Sequence, residues 1–126
     1  MNKEDYVSLE VAKILKEKGF EGPCRSSIFK NGELRIYDLD QSWVDMISID
    51  EEYYEFLCPT LYEAHKWLRR KGVNVCVANF ITVEEPIEWF YTIDLIYNGD
   101  GVYPMEHYPS YEEALNNGIK RALKLI

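Results

Sequence analysis

The chain has 126 residues, with 14 Lys and Arg against 22 Asp and Glu, a formal net charge of -8 and 47% hydrophobic residues. The length suits one domain over residues 1–126, and the hydrophobic fraction is that of a globular chain, which excludes a disordered one. The acidic excess argues against binding nucleic acid through its phosphates, which needs clustered Lys and Arg.

The first helix is predicted over residues 5–18, where apolar side chains recur at helical spacing. Asp5 is expected to be its N-cap because its carboxylate can accept from a free backbone N–H. Gly19 stands where a left-handed residue ends a helix, and Phe20 is expected to fold back on the last turn.

A hairpin follows, with Asn31 and Gly32 between two β segments. This pair predicts a two-residue type I′ turn, because both residue types tolerate positive φ. The corresponding register places Phe29 opposite Leu34. A third strand is predicted over residues 42–49, although an aspartate interrupts its apolar face.

The second helix is predicted over residues 61–71 and ends at Gly72. Thr60 and Glu63 have the spacing of a capping box, in which each residue's side chain bonds to the other's backbone N–H. His65 lies on the apolar side of this helix. We expect it to be a hydrogen-bonded packing residue.

The strongest strand patterns are residues 73–83 and 87–97, where apolar residues alternate over long stretches. Both faces of the resulting hairpin are partly apolar. In one interpretation the helices cover one face, and a loop or the first hairpin covers the other. In the second interpretation one face is a self-association or partner surface, since exposed aromatic patches mark interfaces. The candidate interface residues are Phe80, Trp89, Phe90, Tyr91 and Ile96.

A short strand is predicted over residues 102–105, and a third helix begins at Ser110, with Glu113 completing a second capping box. The fold class is therefore α+β, with antiparallel β hairpins packed against three helices in the order α-β-β-β-α-β-β-(β)-α. The pattern P-[ST]-x-x-E-A occurs at both Pro59 and Pro109. It indicates either two related strand–helix units or simply two good helix starts.

The acidic charge is concentrated in the β regions. Residues 33–58 carry a net charge of -7 and residues 72–106 carry -6, whereas residues 59–71 carry +3. An acidic surface directed at a basic partner is one interpretation, and a solvated surface that keeps the protein soluble is the other. The basic run Arg69-Arg70-Lys71 is the place where a phosphate could rest.

No spacing in the chain matches a catalytic, metal-binding or cofactor-binding motif, so no residue is predicted in those roles. Cys58 precedes the second helix, whose dipole favours a thiolate. His65 lies two turns further on, roughly 10 Å along the axis, which is too far for a nucleophile–base pair. We interpret Cys58 as a small buried residue, with a reactive thiol as the alternative.

The start of the chain lacks a signal-peptide pattern, and no apolar run is long enough to span a bilayer. The three cysteines are widely spaced and odd in number, which does not suggest a disulfide framework. We therefore expect a cytoplasmic protein with no membrane association.

Three stretches carry a family resemblance: residues 6–20 (YVSLEVAKILKEKGF), residues 59–69 (PTLYEAHKWLR) and residues 111–126 (YEEALNNGIKRALKLI). In them the chain resembles a family of small proteins from Bacteroides-type gut bacteria and their phages or prophages. The resemblance implies a bacterial cytoplasm and a mobile-element origin. It implies no activity, cofactor or binding residues.

A second likeness is confined to residues 91–115, where a strand, an Asn-Gly-Asp-Gly turn, a short strand and a helix start resemble the antitoxin half of HicB-like toxin–antitoxin pairs. We treat that likeness as analogy. The leading expectation is a non-enzymatic accessory protein that acts by protein–protein contact, with a protein partner or as a homodimer. The alternatives are a small hydrolase or transferase with a carboxylate or Cys58 site, and an antitoxin-like inhibitor.

Overall fold

A computed structural model describes residues 3–22, 24, 26–29, 31–36, 55–80 and 87–126. Within them the fold is α+β, in the predicted order of elements. After a 3-10 turn at Lys3–Asp5, the elements are α1 (Leu9–Glu17), β1 (Ser26–Phe29), β2 (Leu34–Ile36), β3 (Glu55–Leu57), α2 (Leu61–Arg70), β4 (Val73–Phe80), β5 (Glu88–Leu95), β6 (Gly101–Val102) and α3 (Tyr111–Leu123).

The chain divides into two compact units, residues 1–64 and 65–126, and the division falls within α2. The first unit contains α1 and an antiparallel sheet of order β2-β1-β3. The second contains an antiparallel sheet of order β4-β5-β6 and α3. The expectation of a single domain over residues 1–126 stays a prediction.

Helix α1 begins one turn later than predicted. Its N-cap is Ser8, whose hydroxyl accepts a hydrogen bond from the Val11 N–H at 3.3 Å. The prediction of Asp5 as the cap is wrong, because Asp5 lies in the preceding 3-10 turn. Both are good capping types, and the cap is the one directly next to the first helical residue.

The end of α1 is a Schellman motif, as predicted. Gly19 has a φ of 89°, and its N–H donates to the Lys16 carbonyl at 3.1 Å. The Phe20 N–H donates to the Leu15 carbonyl at 2.9 Å, and the Phe20 side chain is buried. The left-handed glycine thus turns the chain so that the next aromatic side chain packs against the first unit's core.

The first hairpin differs from the prediction by one residue of register. Ile28, rather than Phe29, lies opposite Leu34. A type I′ turn would need positive φ at both Asn31 and Gly32, and only Gly32 has it, at 88°. The loop is therefore one residue longer than predicted, with glycine in the left-handed position of a three-residue connection.

The third strand predicted over residues 42–49 lies outside the described residues. The third strand of the sheet is β3, which pairs with β1 so that Phe56 lies opposite Ile28. A strand of three residues is too short to show an alternating pattern, which is why the sequence did not indicate it.

Helix α2 has the predicted capping box. The Glu63 N–H donates to the Thr60 hydroxyl at 3.1 Å, and the Thr60 N–H donates to the Glu63 carboxylate at 2.8 Å. The helix ends at Arg70, one residue before the predicted end, and Gly72 follows with a φ of 85°.

Strands β4 and β5 form a regular ladder of eight residue pairs, including Val75 opposite Ile93 and Val77 opposite Tyr91. Helix α3 begins at its predicted cap, since the Ser110 hydroxyl accepts from the Glu113 N–H at 3.1 Å. Its buried stripe packs on the odd-numbered side of the ladder and consists of Ala114, Leu115, Gly118, Ile119, Ala122 and Leu123. The short strand predicted over residues 102–105 is shorter in the structure, where β6 is Gly101–Val102 and Met105 is exposed.

Candidate functional site

The even-numbered residues of β4 and β5 point away from α3, because side chains alternate along a strand. Most of them are exposed or half-buried, whereas Val73, Val75, Tyr91 and Ile93 on the other side are buried. We call this second side of the ladder, with Ile96 just beyond β5, the outer face. It consists of Asn74, Cys76, Ala78, Phe80, Glu88, Phe90, Thr92, Asp94 and Ile96.

One end of the outer face is an aromatic cluster. The Phe80 and Phe90 rings meet edge to face, with 5.3 Å between centroids. The His107 ring lies 4.3 Å from Phe80, and its Nδ1 is 2.7 Å from a carboxylate oxygen of Glu88. Phe80 is still 40% exposed. The cluster therefore presents an ordered apolar surface beside a carboxylate.

Three of the five candidate interface residues lie on the outer face: Phe80, Phe90 and Ile96, the last of which is 54% exposed. Trp89 and Tyr91 lie on the helix side. The Trp89 ring meets Tyr111 edge to face at 5.5 Å, and Tyr91 is only 5% exposed. The candidate interface residues therefore lie on both faces of the ladder, because residues of odd number in β5 face α3.

The middle of the outer face carries Cys76, the exposed one of the three free cysteines. The Asn74 amide donates to its sulfur at 3.2 Å, and the thiol lies 3.7 Å from a carboxylate oxygen of Asp94. Partial burial, and after it the Asp94 carboxylate, raise the pKa of Cys76 above its ordinary value.

Thiol alkylation is expected to modify Cys76 and to spare the two buried cysteines. Replacing Asp94 with asparagine removes a negative charge that disfavours the thiolate, so the Cys76 pKa falls and alkylation near neutral pH becomes about three- to tenfold faster. Iodoacetamide kinetics followed by mass spectrometry measure this. Asp100→Asn, a charge change in the turn after β5, is the control and leaves the rate unchanged. An unaltered rate in Asp94→Asn would contradict the assignment.

Cys58 does not have the environment of a reactive thiol. It is fully buried, its Sγ donates to the Val7 carbonyl at 3.3 Å, and its own carbonyl accepts from the Ser26 hydroxyl. Burial, and after it the neighbouring Cys24, raises its pKa to about 12. Cys58 is therefore a small buried residue, as interpreted from the sequence, in surroundings that disfavour the thiolate which a reactive thiol would need.

A shallow groove in the first unit was not predicted from the sequence. Lys13 and Lys16 place their Nζ atoms 5.8 and 5.6 Å from the centre of the Phe56 ring, and Glu17 completes the lining. The two lysines are three residues apart on α1, and this spacing, which places them on one face of the helix, is the only sign of the groove in the sequence. Their convergence on Phe56 depends on the packing of α1 against β3, which no local pattern encodes. No buried polar side chain lines the groove.

His65 contacts the start of β4 from α2. Its ring lies beside the Asn74 side chain and the Val75 backbone, and its Nε2 is buried without a hydrogen-bond partner among the described residues. His65 is therefore a half-buried packing residue, as predicted, but its Nε2 is not hydrogen-bonded. Burial, and after it the Arg69 guanidinium, lowers the pKa of His65 below its ordinary value of 6.5.

The His65 environment predicts a loss of stability in mild acid. Because the pKa is lower in the folded state, the unfolded chain takes up a proton first as the pH falls, which favours unfolding. Relative to His65→Gln, the wild-type protein is expected to lose free energy of unfolding progressively from about pH 7.5 to about pH 5. Urea unfolding of both proteins across this range measures the difference. Parallel curves would contradict the burial of a neutral imidazole.

The basic run at the end of α2 is exposed, and Lys71 stacks over Trp67 with its Nζ 5.2 Å from the ring centre. In the part of the chain that the structure describes, no three His, Cys, Asp or Glu side chains converge as a metal site would require. None of the described helices has the length and apolar character needed to cross a membrane.

Comparisons of the chain with protein families, curated proteins and solved structures give no match in any of the three.

Proposed function

We propose that the protein is a non-enzymatic binding protein that acts by protein–protein contact through its outer face. The observation that carries the proposal is the pair of packed rings at one end of the outer face, exposed Phe80 and half-buried Phe90, with exposed Ile96 at the other end of the same regular ladder. Apolar groups held together on a rigid surface gain free energy when a partner covers them. The family resemblance adds an accessory role for a phage or prophage in a bacterial cytoplasm.

The contrast between the two faces of the ladder supports this proposal. The odd-numbered face is covered by α3, and Ile93 on it is fully buried. The outer face carries fewer apolar side chains, among them Ala78, Phe80 and Phe90, and the first two of these are exposed. Edge-to-face packing orders the Phe80 ring in advance, which lowers the entropic cost of binding.

The test compares three forms of the immobilised protein in lysate of a Bacteroides-type host. The face variant carries Phe80→Ser, Phe90→Ser and Ile96→Ser. The control carries Tyr62→Ser and Tyr103→Ser, which remove exposed aromatic surface elsewhere. We expect a partner that the wild type and the control retain and that the face variant loses by about tenfold or more. Light scattering on the purified protein tests for a second copy as that partner.

Cys76 provides a direct readout of occupancy because it lies in the outer face and is the exposed thiol. Binding of the retained partner is expected to slow its alkylation about tenfold. Equal retention by the face variant, or an unchanged alkylation rate in the complex, would overturn the proposal. The proposal would also be overturned if the protein stays monomeric and retains no partner from the lysate.

A further inference from the structure

At the outer edge of β4, alternate backbone groups have no strand partner among the described residues. In an antiparallel ladder, the N–H and C=O groups of alternate residues point to opposite sides. The Ile96 N–H donates to the Gly72 carbonyl at 2.9 Å, and this pair continues the β4–β5 register by one residue. Since hydrogen-bonded pairs recur at every second residue, the even-numbered residues of β4 are the ones that bond to β5. The backbone groups of Val77 and Asn79 therefore point to the opposite edge, beside which the described residues place no further strand.

Helix α2 lies beside only the first half of this edge. The His65 ring lies next to the backbone of Val75, an outward-pointing residue in the first half of β4. The next two outward-pointing residues, Val77 and Asn79, have no such contact among the described residues, and Asn79 is exposed. The open half of the edge is thus adjacent to the exposed Phe80 of the aromatic cluster.

Strand β4 lacks the features that normally protect an edge. Edge strands are usually guarded by charged residues, proline or a bulge. The β4 sequence VNVCVANF contains neither charge nor proline, and its register runs through eight consecutive pairs without a bulge. Such an edge is suited to pairing with a strand of another molecule, in which backbone bonds give affinity and side-chain pockets give specificity.

The charge beside the open half of this edge selects the chemistry of the added strand. The basic run Arg69-Arg70-Lys71 precedes the other end of β4, and residues 72–106 contain no Lys or Arg. Glu88 and Asp94 lie on the neighbouring strand, on the same outer face. A second copy would bring like charge to this surface, whereas Lys or Arg side chains on a partner would be attracted to it.

We infer that the partner adds an extended basic segment to the edge of β4, pairing with the backbone of Val77 and Asn79 and laying apolar side chains beside Ala78 and Phe80. This inference rests on the proposed function and specifies it, because it gives the binding geometry and the partner's chemistry. Binding to the outer face without strand addition would satisfy the proposed function alone.

Amide hydrogen exchange of the free protein tests whether the edge is open. The amides of Val77 and Asn79 are expected to exchange about tenfold or more faster than those of Cys76 and Ala78, which bond to β5. Equal protection of all four amides would mean that the edge is already covered and would overturn the inference.

A synthetic peptide of about nine alternating Lys and Val residues tests strand addition, with the matching Glu and Val peptide as control. We expect the Lys peptide to slow exchange at Val77 and Asn79 about tenfold and the Glu peptide to leave it unchanged. Asn79→Pro removes the outward N–H of residue 79, so the Val77 amide becomes the readout: the Lys peptide should no longer protect it while the ladder persists, whereas Asn79→Ala should retain its protection.

The outcomes separate the two proposals. The basic-strand inference is overturned if the Lys peptide protects neither amide. It is also overturned if the Glu peptide or a second copy of the chain protects them equally well. If the partner slows Cys76 alkylation but does not protect the Val77 and Asn79 amides, the inference is again overturned. The proposed function, binding through the outer face, is then still supported.

Discussion

Replacing Ile93 with alanine is expected to lower the free energy of unfolding by about 2–5 kcal/mol. Ile93 is fully buried in the middle of β5, opposite Val75 on one side and Val102 on the other. Its side chain lies on the face that α3 covers, so truncation loses hydrophobic burial and leaves a cavity. Urea unfolding monitored by tryptophan fluorescence measures the change, since Trp89 reports on the same unit.

Ile96→Ala is the matched control because it makes the same chemical change three residues away. Ile96 lies on the outer face and is 54% exposed. Its truncation is expected to change stability by no more than about 0.5 kcal/mol. A loss in Ile96→Ala comparable to that in Ile93→Ala would contradict the assignment of the two faces. The same variant also separates stability from binding, since Ile96 is proposed to contact the partner.

The sequence predicted the elements whose determinants are local. A capping box needs only Thr60 and Glu63 at the right spacing, and a left-handed helix end needs only a glycine such as Gly19. The residues of such a motif are neighbours in the sequence, so no tertiary contact is needed to bring them together. The structure contains both the capping box and the left-handed helix end. Strand alternation likewise placed Phe80, Phe90 and Ile96 on one face before any contact was known.

The predictions that failed depended on choices between near-equivalent local states. Asp5 and Ser8 are both good helix caps, and the competing 3-10 turn decided between them. Asn31 can adopt either sign of φ, and its negative φ lengthened the loop and shifted the hairpin register. Residue type alone does not decide either choice, because both alternatives are favourable for the residues concerned.

The candidate site was only partly predictable for a related reason. Trp89 and Tyr91 were included among the candidate interface residues with the other aromatic residues of this hairpin, and the structure places them on the face that α3 covers. The groove formed by Lys13 and Phe56 joins residues far apart in the sequence. The open half of the β4 edge also depends on where His65 meets the strand, which is a tertiary contact.

Gly118 is where α3 comes closest to the ladder. A Cβ atom added there would lie 2.6 Å from Val75 Cγ1 and 3.1 Å from Tyr91 Cγ. Both neighbours are buried, and both contact atoms are near the backbone, so neither can swing aside. Gly118→Ala gains about 1 kcal/mol of helix propensity, but overpacking costs about 1–3 kcal/mol. We therefore expect a net loss of up to about 2 kcal/mol.

The close contact with Val75 predicts a specific non-additivity. Val75→Ala removes the methyl group that the new Cβ would meet, so the methyl of Gly118→Ala can occupy part of the space that Val75→Ala vacates. The double variant is expected to be more stable than the sum of the single changes implies, with a coupling free energy of about 0.5–3 kcal/mol. Urea unfolding of the four proteins completes the cycle. Asn117→Ala, on the same helix but half-buried, is the control and should not couple to Val75→Ala. Additive losses at Gly118 and Val75 would show that α3 relaxes away from the sheet at little cost, because the clash would then be relieved without the valine methyl being removed.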